Sequence, residues 1–333
     1  MNALVTGGGG FLGRYIVEQL VARGDKVRVF CRSRHESLET PGVGFCFGDL
    51  KNMIDVAKAC EGIDTVFHVA AQPGIRCQWE PFFETNTLGT LHVLNGCIKH
   101  GVKKLVYTSS PSVTFDGKDQ CGVDESAPYT TCSFSHYSQT KAMAEQLVLK
   151  SNGRDGLLTC ALRPHLIWGP RDRHLIPRLL DRARKGKLKR VGSGTNLVDV
   201  TYVENAATAH LQAADALVPG GRVAGNSYFI SQGKPVNCWN WIDGLLELAG
   251  LPKVNRSVSY RAAWYAGALL EIWHKTFRIT SEPVMTRFLA AQLSHSHWFD
   301  ISKAKNDFGY VPLVSTEEGL TRLAEELRIP SCV

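Results

Sequence analysis

Apolar positions in the first half of the chain recur with two different periods. Short β-branched or aromatic runs at residues 3–6, 26–31, 43–47, 65–69, 104–108 and 157–162 predict strands. Stretches at 11–22, 55–60, 82–100 and 137–150 repeat apolar residues every three or four positions and predict helices. In the first of these, Leu12, Ile16, Val17, Leu20 and Val21 share one face, and Gly24 stands just past its end. Strands alternating with helices imply a parallel sheet covered on both faces. Right-handed crossovers make such a sheet doubly wound, with ligands at the carboxyl ends of its strands.

After Pro170 the alternation loosens. Helical patterns at 175–185, 204–216, 239–249 and 262–277 are separated by short apolar segments, with no flexible linker and no internal repeat. The expected architecture is α/β: a Rossmann-like doubly wound parallel sheet over residues 1–170, and a smaller mixed C-terminal substrate-binding region over 171–333. The two are expected to pack together with interleaved boundaries.

Composition narrows the function only by exclusion. The chain has 333 residues, 44% hydrophobic, enough for a substantial core. No apolar run is long enough to predict a membrane-spanning helix. The opening Ala3-Leu4-Val5 meets glycines at once and lacks a secretory signal's basic start, so a cytoplasmic location is expected. The 10 cysteines include no C-x-x-C pair, so no metal is expected and reduced thiols are. The net charge of +7 collects at Arg178, Arg182, Arg184, Lys185, Lys187, Lys189 and Arg190. That stretch suits a solvated face, an acidic protein or an anionic membrane surface. No nucleic-acid module accompanies it, and nucleic acid is not expected as a partner.

Residues 6–13 read Thr-Gly-Gly-Gly-Gly-Phe-Leu-Gly between a predicted strand and a predicted helix. Two registers fit, Gly8-x-Gly10-x-x-Gly13 and Gly7-x-x-Gly10-x-x-Gly13. Either lets backbone approach a pyrophosphate at a helix N-terminus, which makes Gly7, Gly10, Phe11, Leu12 and Gly13 candidate cofactor contacts. The second strand ends Phe30-Cys31-Arg32-Ser33-Arg34, without the acid that binds a ribose 2′-hydroxyl in NAD-specific folds. Arginines suit a 2′-phosphate, so NADP(H) is expected, with NAD(H) as the alternative. Arg32 is the expected main contact, with Ser33 and Arg34 helping, and Asp49 and Leu50 lie where the adenine would reach.

Tyr137-Ser-Gln-Thr-Lys141 places two side chains one turn apart on a helix face. An ammonium beside a phenol favours the phenolate and lowers its pKa. Upstream, Thr108-Ser109-Ser110 stands at a predicted strand end.

With His68-Val69-Ala70-Ala71, Asn86-x-x-Gly89-Thr90 and Arg163-Pro164-His165-Leu166-Ile167-Trp168-Gly169-Pro170, these motifs occur in the order found in extended short-chain dehydrogenases/reductases. The chain resembles that superfamily over most of its length. Within it, residues 109–117 and 196–207 resemble the 3β-hydroxysteroid dehydrogenase group, above all its 2-alkyl-3-oxoalkanoate reductases of bacterial olefin synthesis. The resemblance implies that Tyr137 exchanges a proton with the substrate oxygen. It implies that Lys141 lowers the Tyr137 pKa and holds the nicotinamide ribose, and that Ser110 hydrogen-bonds the carbonyl, with Ser109 competing for that role. Ala70, Ala71, Pro164 and Leu166 would line the cofactor, and Asn86 would support. A homodimer is likewise implied.

The same superfamily contains nucleotide-sugar epimerases and dehydratases. Against these stand the missing arginine before Val203-Glu204-Asn205, the missing Arg-x-Gly-Asp segment at 293–301, and Pro111-Ser112 in place of Asp-Glu after Ser110. Trp79, Phe82, Phe83 and the apolar helix 262–277 suggest a hydrophobic substrate, the helix serving as lid, core or interfacial anchor. The expected reaction interconverts a 3-oxo and a 3-hydroxy group on a hydrophobic substrate, a β-keto acid or a sterol-like molecule. The alternatives are an NAD-dependent nucleotide-sugar epimerase or dehydratase, and a non-catalytic NADP sensor. Arg76 or the basic stretch could pair with a substrate carboxylate.

Overall fold

The computed structural model describes residues 1–131 and 134–328, which leaves Cys132 and Cys332 outside. The strands are β1 Asn2–Thr6, β2 Lys26–Cys31, β3 Val43–Phe47, β4 Thr65–His68, β5 Lys104–Thr108, β6 Gln120–Val123, β7 Leu158–Pro164 and β8 Ile167–Trp168. They continue as β9 Arg190–Val191, β10 Leu197–Val198, β11 Thr201–Tyr202, β12 Ser227–Ile230, β13 Val236–Asn237, β14 Ser257–Val258 and β15 His297–Phe299. The helices are α1 Phe11–Ala22, α2 Met53–Ala59, α3 Glu80–Phe82, α4 Gly89–Lys99, α5 His136–Lys150 and α6 Leu175–Arg184. The rest are α7 Val203–Ala216, α8 Cys238–Leu248, α9 Tyr260–Thr276, α10 Arg287–Ser294, α11 Ser302–Phe308 and α12 Thr316–Arg328.

Seven strands form one sheet in the order β12-β7-β5-β4-β1-β2-β3, and every neighbouring pair is parallel. The order reverses between β1 and β4, which is where a doubly wound sheet opens a crevice for ligands. Apolar side chains on both faces explain the near-continuous strand runs: Leu4, Val66, Leu105 and Ala161 pack to one side, and Val5, Phe67, Val106 and Leu162 to the other. The seventh strand, β12, comes from beyond Pro170, and α7 covers the sheet beside α1. Conversely β6, from the first half, joins a small mixed sheet in the order β13-β10-β15-β6. A third core, around Trp168, Trp239, Trp241 and Tyr202, knits α6, α8 and α12 to that region.

Helix starts depart from the predicted ones wherever a cap lies upstream. Asn52 caps α2 by accepting from Ile54 and Asp55 N–H, so the helix begins at Met53. Ser135 caps α5, so that helix begins at His136. The single helix predicted over 82–100 is interrupted: between α3 and α4, Phe83–Leu88 widens into a π-helical segment. Phe82, expected over the site, is instead fully buried. Among the described residues no helix is long and apolar enough to cross a membrane.

Candidate functional site

The predicted site residues follow the carboxyl ends of the parallel strands: Gly7 after β1, Arg32 after β2, Asp49 after β3, Ala70 after β4, Ser110 after β5, with Pro164 ending β7. One edge of the sheet therefore collects them.

The glycine loop accepts nothing larger at two positions. Gly7 has φ +70, and a Cβ there would lie 2.9 Å from Ala70 Cα. A Cβ on Gly13 would strike the Gly7 carbonyl. Gly10 caps α1 without a side-chain bond, and no acid stands in the first turn. Arg14 N is the first to reach back, to Gly10 O at 3.1 Å, so the N–H groups of Phe11, Leu12 and Gly13 and the positive helix end stay available to an anion. This cradle fits a dinucleotide pyrophosphate. His35, which the sequence reading passed over, lies against Gly9.

At the end of β2, Arg32 and Ser33 are exposed, and Arg32 makes no ion pair among the described residues. Arg34 departs from expectation: its Nε and Nη2 bond Glu39 at 2.5 and 3.0 Å. Asp49 is half-buried and accepts from Lys51 N at 3.0 Å. Leu50 is buried, its carbonyl bonded to His92 Nδ1 at 2.8 Å. Ala71 is half-buried beside Ala70. Leu166 holds φ +39, an uncommon value for a branched side chain, and its carbonyl accepts from Thr201 N at 3.2 Å.

A hydrogen-bonded chain ties this cradle to α5. Thr90 gives its hydroxyl proton to Asn86 O at 2.6 Å, so its oxygen accepts from His68 Nε2 at 2.9 Å. His68 Nδ1 then accepts from Thr6 Oγ1 at 2.7 Å, and that oxygen accepts from Val69 and Ala70 N–H, both at 3.2 Å. Burial, with Lys141 nearby, pushes His68 down to about 3, which keeps it neutral. Asn86 Nδ2 donates to Thr140 Oγ1 at 3.1 Å, one residue before Lys141.

Tyr137, Lys141 and Glu145 make an i, i+4, i+8 stripe along α5. The Ser110 side chain lies near enough to the Tyr137 hydroxyl to favour its phenolate. Ser110 Oγ also meets Ser112 Oγ at 3.0 Å. The Ser109 hydroxyl is buried and without a partner among the described residues. Lys141 is 2% exposed, and its Nζ donates to Thr108 O at 2.6 Å and lies 4.1 Å from the Tyr107 ring centroid. Burial lowers Lys141 to about 7, opposed by Glu145. Lys141 is not among the groups that shift Tyr137: burial raises the phenol, and Ser110 partly offsets it. Glu145 itself is held by Arg163, whose Nη2 bonds Oε1 at 2.5 Å in a fully buried pair.

Tyr137 lines a cavity of about 240 Å³ with Arg76, Cys77 and His136 on one side, and Glu271, Ile272 and Lys275 of α9 on another. The helix predicted over 262–277 is thus a wall of the cavity. Its Ala263, Gly267 and His274 are buried, while Tyr265, Leu269, Ile272 and Trp273 face outward. Trp79 stacks on Phe83 at 5.6 Å and meets His136 edge-on at 5.5 Å. His165 and His297 are bonded to each other at 2.6 Å, and among the described residues no group of three His, Cys, Asp or Glu gathers as a metal site.

The sequence profile of the 3-beta hydroxysteroid dehydrogenase/isomerase family matches residues 4–259. Over 326 residues the chain is 46% identical to a 2-alkyl-3-oxoalkanoate reductase of Stenotrophomonas maltophilia (strain K279a), covering 97% of this chain and 98% of that protein. Over 325 residues it is 38% identical to a sterol-4-alpha-carboxylate 3-dehydrogenase, decarboxylating, of Mus musculus, covering 96% and 89%. Its structure is similar to that of MoeE5 in complex with UDP-glucose and NAD, with a TM-score of 0.77 at 26% identity over 98% of this chain and 99% of the other.

Proposed function

Because the chain belongs to the 3-beta hydroxysteroid dehydrogenase/isomerase family, and is an NAD(P)-dependent oxidoreductase of that kind, we propose that it interconverts a 3-oxo and a 3-hydroxy group on a hydrophobic acid or sterol-like substrate. NADP(H) is the cofactor in this reading, and when bound it supplies or accepts the hydride. The observation that carries the reading is Tyr137 at the wall of a cavity, with Ser110 near its hydroxyl and Lys141 one turn further along α5.

In the reductive direction Tyr137 gives its proton to the oxygen of the 3-oxo group as that oxygen becomes an alcohol. Ser110 donates to the same oxygen while negative charge develops on it. Lys141 then stabilises the phenolate left on Tyr137 and orients the cofactor ribose. Gly7, Gly10 and Gly13 admit the pyrophosphate to the N–H groups of Phe11 and Leu12, and Arg32 with Ser33 takes the 2′-phosphate. Asp49, Leu50, Ala70, Ala71, Pro164 and Leu166 shape the remaining walls. Exposed Leu269 and Trp273 on α9, together with the basic residues of α6, support peripheral contact with an anionic membrane surface, which vesicle co-sedimentation would test. A homodimer belongs to the same reading and is tested by light scattering.

The test is net consumption of NADPH with a 3-oxo acid, or its production with a 3-hydroxy sterol. Likeness to MoeE5, solved with UDP-glucose, favours a second reading as a nucleotide-sugar epimerase or dehydratase. Conversion of a UDP-sugar without net change in added cofactor would replace the first reading by the second.

A further inference from the structure

The charges around the cavity are unequally occupied. Glu271 is fully engaged: it accepts from Arg287 N at 2.6 Å and from Arg287 Nε at 2.7 Å. Arg287 is fixed in turn, 5.3 Å from the Phe134 ring centroid and 5.7 Å from that of Trp264. Two cations remain on the cavity wall, Arg76 and Lys275, and neither side chain makes a hydrogen bond or an ion pair with any described residue.

The backbone that carries Arg76 is pinned on both sides. Ile75 N donates to Glu282 Oε1 at 3.2 Å, and Glu282 pairs with Arg178. Gln78 Nε2 donates to Ile279 O at 2.6 Å. His136 Nε2 bonds Cys77 O at 3.2 Å, and His136 is the residue before Tyr137. A free guanidinium thus stands on a fixed stretch that is tied to the helix turn bearing Tyr137.

We propose that Arg76 binds the carboxylate of a 3-oxo or 3-hydroxy acid substrate, with Lys275 as a second cation on the opposing element. This rests on the oxidoreductase reading above. In such an acid one carbon separates the carboxylate from the reacting carbon, so the anion enters the same cavity as the reacting oxygen. The names of the bacterial and mouse relatives place a carboxylate on the carbon next to the one that bears the 3-oxygen. A guanidinium matches a carboxylate with two parallel hydrogen bonds, which fixes orientation as well as charge. The apolar remainder of the substrate is left to Ile272, Phe134 and Phe288.

The experiment compares a 2-alkyl-3-oxo acid with its methyl ester as substrates, using kcat/KM for each. The wild type should prefer the acid. Arg76→Gln should lower the acid-to-ester ratio about 30-fold through KM, as expected for a charge-assisted pair. Arg76→Lys should recover part of it, and Lys275→Gln should lower it about threefold. Arg76 is exposed, so equal melting temperatures are expected and would certify the fold. An unchanged ratio in Arg76→Gln, or equal losses on acid and ester, overturns the anchor and leaves the reductase reading standing. Turnover of neither compound by the wild type overturns the reductase reading and the anchor with it.

Discussion

Lys141 Nζ donates to the carbonyl oxygen of Thr108 at 2.6 Å, joining the face of α5 to the end of β5. The bond holds the buried ammonium on backbone, while burial raises the Tyr137 phenol one turn earlier. A bound cofactor's ribose offers the ammonium other oxygens. In the proposed mechanism Lys141 therefore has two tasks, to seat the strand end and to stabilise the phenolate during turnover. Lys141→Met should cut kcat about 10²–10⁴-fold, as loss of acid–base assistance does. It should also lower the melting temperature, whereas Tyr137→Phe should lose similar activity and keep cofactor affinity. Retention of more than a tenth of wild-type kcat by Tyr137→Phe would remove the phenol from the chemistry.

On the NADP(H) reading cofactor choice rests on Arg32, because Arg34 is already paired with Glu39. Arg32→Asp should weaken NADPH at least tenfold and leave NADH within twofold, measured by fluorescence titration. Arg34→Gln should change NADPH affinity less than threefold. Equal affinities of the wild type for NADH and NADPH would mean that Arg32 serves solvent alone.

Gly13 offers a steric test of the cradle. Its missing Cβ faces the Gly7 carbonyl, so Gly13→Val must push the loop off the start of α1. Dinucleotide binding should fall by more than tenfold. Far-ultraviolet circular dichroism should stay unchanged, since α1 retains its buried face. Unaltered binding would place the pyrophosphate elsewhere.

Stability should fall with pH on the acid side. Burial pushes His68 to about 3, and His210 and His297 to about 4, with His165 also well below its ordinary value. Unfolded, each would take a proton near the ordinary imidazole value of 6.5. Each thus contributes stability that is full above that pH and is lost as pH falls toward the folded value. Asp199, raised by burial to about 6, and Glu125, also raised, act in the opposite direction below their folded values. Lys141, lowered to about 7, favours unfolding until pH rises through 7 toward 10.5. The histidines outnumber the two acids, so the melting temperature should drop by several degrees from pH 7.5 to pH 5. A flat profile would contradict their burial as neutral rings.

Local sequence was sufficient for what local chemistry dictates. The glycine loop, the strand ends and the Tyr137/Lys141 spacing are short-range patterns, and the first six strands of the sheet lie where the apolar runs put them. β12 was not foreseen, because Ser227–Ile230 lies beyond the strand–helix alternation and only its parallel pairing with β7 identifies it. The Glu39 partner of Arg34, the Thr108 carbonyl under Lys141 and the Arg163–Glu145 pair behind it escaped for a related reason. A residue's type does not name the group that three-dimensional packing brings to it. The histidine at 68 could have been suspected from its place at the end of an apolar strand, where a polar ring needs partners on both nitrogens.

The widened turn at Phe83–Leu88 makes one helical rod serve two masters. An extra residue in that turn shifts the angular phase of everything after it. Ahead of the shift, Trp79 and Phe83 form an aromatic step beside His136. Behind it, Val93, Leu94 and Cys97 close over the sheet, with Gly89 against Leu50. A plain α-helix of the same sequence would rotate one of these faces out of place. Helical phase, rather than any single contact, is thus the quantity that keeps the aromatic step beside the cavity-lining His136 and the buried face of α4 in alignment.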